Sequence, residues 1–296
     1  MKLQTLSTVI TAFATAALVD FSSVANPVNA ATLAGLTDDN TLLVFDSANP
    51  GATNSIQVTG VDGYLLGIDF RPANGLIYGL SNTNNLYTID PLSGSANFIS
   101  TLSVPFNGGV SSGVDFNPAA DRLRVVGTNG QNFRINVDNG VVAEDAQLNP
   151  GTPAITAAAY TNVDNDPATG TTLYNIDTAL GQLLIQNPPN AGTQVAVGSL
   201  NISNLESSAG FDIITANGVN TAFAALTAHS ITSLYSIDLA TGSATKIGLI
   251  GDGKTELIGL TSAPAAAVPE PTTMAGLALA GAGLTAARRK RKQSAA

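Results

Sequence analysis

Apolar residues along this chain fall into short runs of four to seven Leu, Ile, Val, Phe and Tyr positions, separated by stretches of Asn, Asp, Gly and Pro. Runs of that length, bounded by turn-forming residues, read as β-strands. They recur as a phrase. One copy reads Leu66-Gly67-Ile68-Asp69-Phe70-Arg71-Pro72, then Leu76-Ile77-Tyr78-Gly79-Leu80, Leu86-Tyr87-Thr88-Ile89-Asp90 and Ala96-Asn97-Phe98-Ile99. A second opens at Ser112-Gly113-Val114-Asp115-Phe116-Asn117-Pro118, a third at Ala157-Ala158-Ala159-Tyr160 and a fourth at Gly210-Phe211-Asp212-Ile213. The N-terminal copy lacks its opening segment. It begins with Leu33-Ala34-Gly35-Leu36 and continues through Leu42-Leu43-Val44-Phe45-Asp46 and Ile56-Gln57-Val58. The missing piece stands at the far end as Leu257-Ile258-Gly259-Leu260.

Two independent markers measure the repeat. Third-segment ends (Asp46, Asp90, Asn136, Gln186, Asp238) lie 44, 46, 50 and 52 residues apart, and first-segment starts (Gly67, Gly113, Ala157, Gly210, Gly259) lie 46, 44, 53 and 49 apart. Four strands in roughly 47 residues is the size of a propeller blade. The pattern therefore predicts an all-β protein, a five-bladed β-propeller over residues 31–264. N- and C-terminal strands share one blade in this arrangement, which removes the exposed edges of an open sheet.

Both ends depart from the repeat. Lys2, an apolar run over residues 5–19 and the small-residue exit Val28-Asn29-Ala30 describe an N-terminal signal peptide over residues 1–30, cut after Ala30. At the other end, residues 265–296 hold a linker, then Pro269-Glu270-Pro271, an uncharged segment over 272–287, and Arg288-Arg289-Lys290-Arg291-Lys292. The prolines keep Glu270 extended and outside any helix that follows. The basic cluster would hold the end of a short membrane helix on the cytoplasmic side. A permanent C-terminal anchor is the alternative reading of the same residues.

This tail resembles the PEP-CTERM sorting signal, in which the same three parts occur in the same order. The resemblance implies a protein exported across the inner membrane and anchored there transiently by its C-terminal helix. It implies recognition by an exosortase, a membrane-embedded Cys protease-transpeptidase, followed by release or attachment at the cell surface or in the extracellular matrix. The body is similar to the family called domain of unknown function 4394, through its Gly-x-Asp-Phe-x-Pro and Leu-Tyr-x-Ile-Asp phrases over residues 33–262. That family brings no catalytic residues to carry over.

Composition narrows the remaining choices. The 296 residues carry 12 basic and 21 acidic side chains, one His, no Cys and no Trp. Without Cys there is no disulfide framework, thiolate zinc site or thiol nucleophile. Setting aside residues 1–30 and 268–296 leaves 6 basic against 19 acidic groups, a net −13. That balance suits an exported soluble body and argues against binding nucleic acid, whose affinity comes from basic groups releasing counterions. The absence of Trp, the largest flat aromatic face, weighs against a glycan-binding role.

Candidate chemistry is sparse. Asp69 and Asp115 share a repeat position, where the third copy has Ala159 and the last Thr261. They could form a carboxylate pair in the central channel, but a short polar side chain ending a strand is more simply read as satisfying turn backbone. Asn162, Asp164 and Asp166 place oxygens at alternate positions of one turn and are the candidate calcium ligands, although no EF-hand Glu follows. His229 stands alone in a turn, and no Gly-x-Ser-x-Gly elbow accompanies it. No catalytic residue is assigned. The expected function is therefore that of an exported, non-enzymatic protein of the envelope or extracellular matrix. The alternative is a secreted, calcium-assisted propeller hydrolase acting on glycans, esters or lactones, with Asp62, Glu206, Asp252 and Glu256 in the blade connections as its first candidates.

Overall fold

The computed structural model describes residues 30–263, apart from residue 165. It contains five four-stranded antiparallel sheets. Blade 1 combines β1 (Thr32–Leu36), β2 (Thr41–Asp46) and β3 (Asn49–Gln57) with β20 (Gly259–Ser262) from the opposite end of the chain. Blade 2 holds β4 (Leu65–Arg71), β5 (Leu76–Ser81), β6 (Asn85–Ile89) and β7 (Ala96–Thr101). Blade 3 holds β8 (Ser112–Asn117), β9 (Arg122–Gly127), β10 (Asn132–Asn136) and β11 (Val141–Glu144). Blade 4 is made of β12 (Ile155–Tyr160), β13 (Leu173–Asp177), β14 (Gln182–Gln186) and β15 (Gln194–Ser199). Blade 5 is made of β16 (Leu205–Ala216), β17 (Val219–Ala228), β18 (Ile231–Ile237) and β19 (Ala244–Leu249).

The inner strands β20, β4, β8, β12 and β16 neighbour one another in that order, and β16 returns to β20. The molecule is a closed five-bladed propeller. Closure rests on the pairs Leu33↔Ser262, Ala34↔Thr261, Gly35↔Leu260 and Leu36↔Gly259. The strand begins two residues later than the apolar run suggests. Leu257 is instead a buried plug whose side chain occupies the space a Cβ on Gly35 would need.

The inner strands β4, β8 and β12 are buried along nearly their whole length and β16 over Ala209–Ile213, whereas the outer strands β3, β7, β11, β15 and β19 are largely exposed. Each interval between blades holds an apolar cluster; Leu66, Tyr78 and Leu86 meet Phe116, Val125 and Phe133 between blades 2 and 3. Near the axis the strands approach so closely that only small residues fit. A Cβ on Gly67 would lie 2.5 Å from Val114, and one on Gly113 would lie 2.5 Å from Ala158. A cavity of about 10 Å³ is left where these strands converge.

The two faces differ in what they carry. The lower face receives the ends of all the inner strands, their first hairpin turns, and both ends of the described chain, where Ala263 N–H donates to Thr32 O at 2.9 Å. The upper face carries the connections from one blade to the next. No helix among the described residues is long and apolar enough to cross a membrane, and the segment 272–287 lies outside them.

The close approach at the axis is testable. A methyl group on Gly210 would lie 2.7 Å from the Gly259 backbone, which cannot rotate away. Gly210→Ala is therefore expected to cost about 1–3 kcal/mol, as overpacking of a tight core does, measured by urea denaturation.

Candidate functional site

The repeat position occupied by Asp69, Asp115, Ala159, Asp212 and Thr261 faces the channel, and its side chains link one blade to the next. Thr261 Oγ1 accepts the Phe70 N–H at 2.9 Å, and Asp69 Oδ2 accepts the Phe116 N–H at 2.7 Å. Asp115 Oδ1 accepts the Tyr160 N–H at 2.9 Å, and Asp212 Oδ2 accepts the Ser262 N–H. In every case the donor stands one residue past the same repeat position in the neighbouring blade. Thr261 also donates its hydroxyl to Asp69 Oδ1 at 2.9 Å. Ala159, which has no acceptor, leaves the single gap in this ring of five.

These links bring three carboxylates together. Oxygens of Asp69, Asp115 and Asp212 all lie within 4.8 Å of one another, and each residue is at most 5% exposed. Burial and the Asp212 charge push Asp69 well above the usual carboxylate range, against the pull of the Phe116 N–H and the Thr261 hydroxyl. Burial, with Asp69 and Asp212 adding to it, does the same for Asp115. Asp212 is raised by burial to about 6, although the Ser262 N–H opposes the shift. Like charges held this close in a low-dielectric channel favour retained protons. As a chemical unit the cluster can share protons or present oxygens to a hard cation. Both Asp69 oxygens, however, already accept hydrogen bonds from the protein.

A second buried polar set lies between blades 3 and 4. The apolar cluster there is the smallest of the five, with seven buried residues against thirteen between blades 2 and 3. Polar groups fill the remaining space. Arg124, 1% exposed, donates to Asp145 and Asn132 at 2.7 Å each, to Asn190 at 2.9 Å and to the Tyr160 hydroxyl at 3.2 Å. Asp145 also receives a two-pronged contact from Arg134 at 2.7 and 2.8 Å. Burial raises the Asp145 pKa, but the two arginines more than offset this and leave it below the ordinary value.

A family model described as Domain of unknown function (DUF4394) matches residues 41–261, which include this ring and this network. The chain belongs to the DUF4394 family. A second model, the PEP-CTERM protein-sorting motif, matches residues 267–292 and implies export with exosortase-type sorting. No curated protein matches the chain. Among solved structures it is similar to a protein of unknown function from Bacteroides thetaiotaomicron VPI-5482, with 15% identity and a TM-score of 0.47; the match covers 72% of this chain and 58% of that one. It is also similar to a protein from Lactobacillus plantarum, with 10% identity, a TM-score of 0.42, and 75% and 82% of the two chains covered.

In this DUF4394 propeller the other sequence candidates stand apart from the ring. Asn162 Oδ1 accepts from Asn220 of blade 5 at 2.8 Å, whereas Asp164 accepts from the Asp166 N–H at 3.0 Å and Asp166 from the Ala168 N–H at 2.9 Å within their own turn. His229 is exposed in a turn at φ 53° and lies against Asn204 and Ser203. Of the hydrolase candidates, Glu206 accepts from the Ser230 N–H at 2.7 Å and Asp252 from the Lys254 N–H at 3.0 Å. Glu256 accepts from the Ser208 hydroxyl, and Asp62 is exposed. Ala30 is exposed just before β1, whereas Pro269, Glu270, Pro271, Arg288, Arg289, Lys290, Arg291 and Lys292 lie outside the described residues.

Asp69 and Asp115 do satisfy backbone donors, as the sequence suggests, but those donors belong to the next blade and not to the turn that follows each Asp. Asp212 is the member that sequence reasoning leaves out. It shares the repeat phase but lacks the Phe-x-Pro that marks the other two. Arg124 is likewise missed, although a cation inside the run Leu123-Arg124-Val125 is itself a signal of a buried partner.

Both sets make predictions. The raised carboxylates bind protons more tightly in the folded chain than in the unfolded one, where Asp titrates near about 3.9. Their stabilising effect is complete below that value and is lost as pH rises through the raised values of the folded chain, about 6 for Asp212 and well above the ordinary carboxylate range for Asp69 and Asp115. Asp115→Asn keeps an acceptor for Tyr160 without the charge. In denaturant melts it should flatten the fall in stability between mildly acidic and alkaline pH and be more stable than the parent chain at the alkaline end. Asp145→Ala leaves the Arg124 charge buried without its carboxylate and should cost about 3–5 kcal/mol in the same assay.

Proposed function

We propose that this propeller, residues 31–264, is a non-enzymatic module of the cell envelope or extracellular matrix, delivered by removal of a signal peptide and a sorting tail. The observation that carries this reading is how the convergent carboxylates are used. Asp69, Asp115 and Asp212 are buried and bound to backbone donors of neighbouring blades. A general acid or nucleophile must instead reach a substrate atom. Glu206, Asp252 and Glu256 accept from nearby groups on the upper face, where they shape the surface.

In this reading the Ala30 junction is cut on export. Residues 272–287 then hold the body at the inner membrane, with Arg288 to Lys292 on the cytoplasmic side, until an exosortase-type enzyme acts at Pro269-Glu270-Pro271. The acidic, soluble body is released to the surface or the matrix.

Expression in a host that carries the processing enzyme tests both halves. The mature N-terminus should read Ala31-Thr32-Leu33, and the mass should show loss of the tail. Glu270→Ala should leave the unprocessed chain in the membrane fraction; unchanged processing of that variant overturns the sorting assignment. Turnover of a glycoside, ester or lactone panel by the purified protein, abolished by a point substitution, would overturn the non-enzymatic reading.

A further inference from the structure

The place where the tail leaves the propeller limits how the anchored protein can stand on its membrane. β20 is an inner strand, so the chain departs close to the ring axis on the lower face, and Ala263 is still bonded to Thr32. Eight residues, 264–271, separate that point from the apolar segment. Fully extended, they span at most about 29 Å. Bringing the upper face to the bilayer would require the chain to run outward past three strand spacings, about 14 Å, and then along the height of a blade. With the seven residues of β4 setting that height, the second leg is about 23 Å. The route exceeds the reach of the linker.

From this, and resting on the anchored precursor described above, we infer that the lower face is the bilayer-facing surface while the tail is attached, and that the upper face is held outward. The lower face also has groups suited to a lipid interface. Leu76, Leu92, Val141 and Val219 are 46–61% exposed and sit at strand starts or turns on that face of blades 2, 3 and 5. Blade 1 supplies the tail itself. Apolar contact points spread around a central tether favour a flat stance over an edge-on one. Leu180, Ile231 and Leu249, exposed on the upper face, are kept out of reach of the lipid. Asp46, Asp90 and Asp238 on lower-face turns repel an anionic surface, so the matching lipid is zwitterionic. Cleavage of the tail ends the restriction and frees both faces together.

The chain has no Cys, so single-cysteine variants report position without a background. Ala73→Cys, with Ala120→Cys as a second variant, marks the lower face, and Thr255→Cys marks the upper; all three positions are exposed. The full chain is reconstituted into phosphatidylcholine vesicles, isolated by flotation and labelled with a bulky impermeant maleimide. Labelling at the lower-face positions should be several-fold slower than at Thr255→Cys. Insertion of a flexible ~20-residue Gly/Ser spacer after Ala263 should remove the difference, because the longer tether spans the rim. Equal or reversed rates in the native-length chain that floats with the vesicles overturn the orientation alone. A chain that stays in the soluble fraction overturns the anchoring as well.

Discussion

Four residue pairs between β1 and β20 turn a row of sheets into a ring. Without them blade 1 has no inner strand, and the edges of β1, β16 and β4 face solvent or a void. With them, every inner strand has a neighbour on each side, and the small residues at the axis can be drawn into contact. The price of this construction is that the first and last strands, more than two hundred residues apart, must find one another before the core is complete. Leu257 helps to fix the result, because its buried side chain fits only where Gly35 leaves room.

Closure also accounts for the carboxylate ring. A backbone N–H on an inner strand that faces the preceding blade has no ladder partner, and a buried donor left unsatisfied is costly. Asp69, Asp115, Asp212 and Thr261 meet four of these donors from the preceding blade. Using Asp for this purpose concentrates three acids in a narrow channel, and the same burial that makes each bond strong pushes the acids toward their neutral forms. Between blades 3 and 4 a second polar device is added to the Asp115–Tyr160 link. There a buried arginine is surrounded by oxygens, and Asp145 balances its charge.

The family assignment and the sorting motif describe an exported propeller whose delivery is written in its tail. Because the tail follows the closing strand directly, delivery and architecture meet in one place. In the anchored precursor proposed above, the strand that completes the ring would also be the strand from which the body hangs, with attachment near the axis and the blade connections turned outward.

Blade number, the split first blade and the order of strands were legible in the chain itself, because strand propensity, turn residues and a period near 47 are local properties that repeat. The tail was legible for the same reason, as three adjacent segments of distinct chemistry. The partners of Asp69 and Asp115, the entry of Asp212 into their group and the oxygen shell of Arg124 were decided only by the tertiary structure. The links that join one blade to the next, such as Arg124 to Tyr160 and Asn190 or Asp69 to the Phe116 N–H, connect residues 36 to 66 positions apart, a relation that no local pattern records. A side chain's type announces that it needs a partner; only the packing of the ring determines which one it meets.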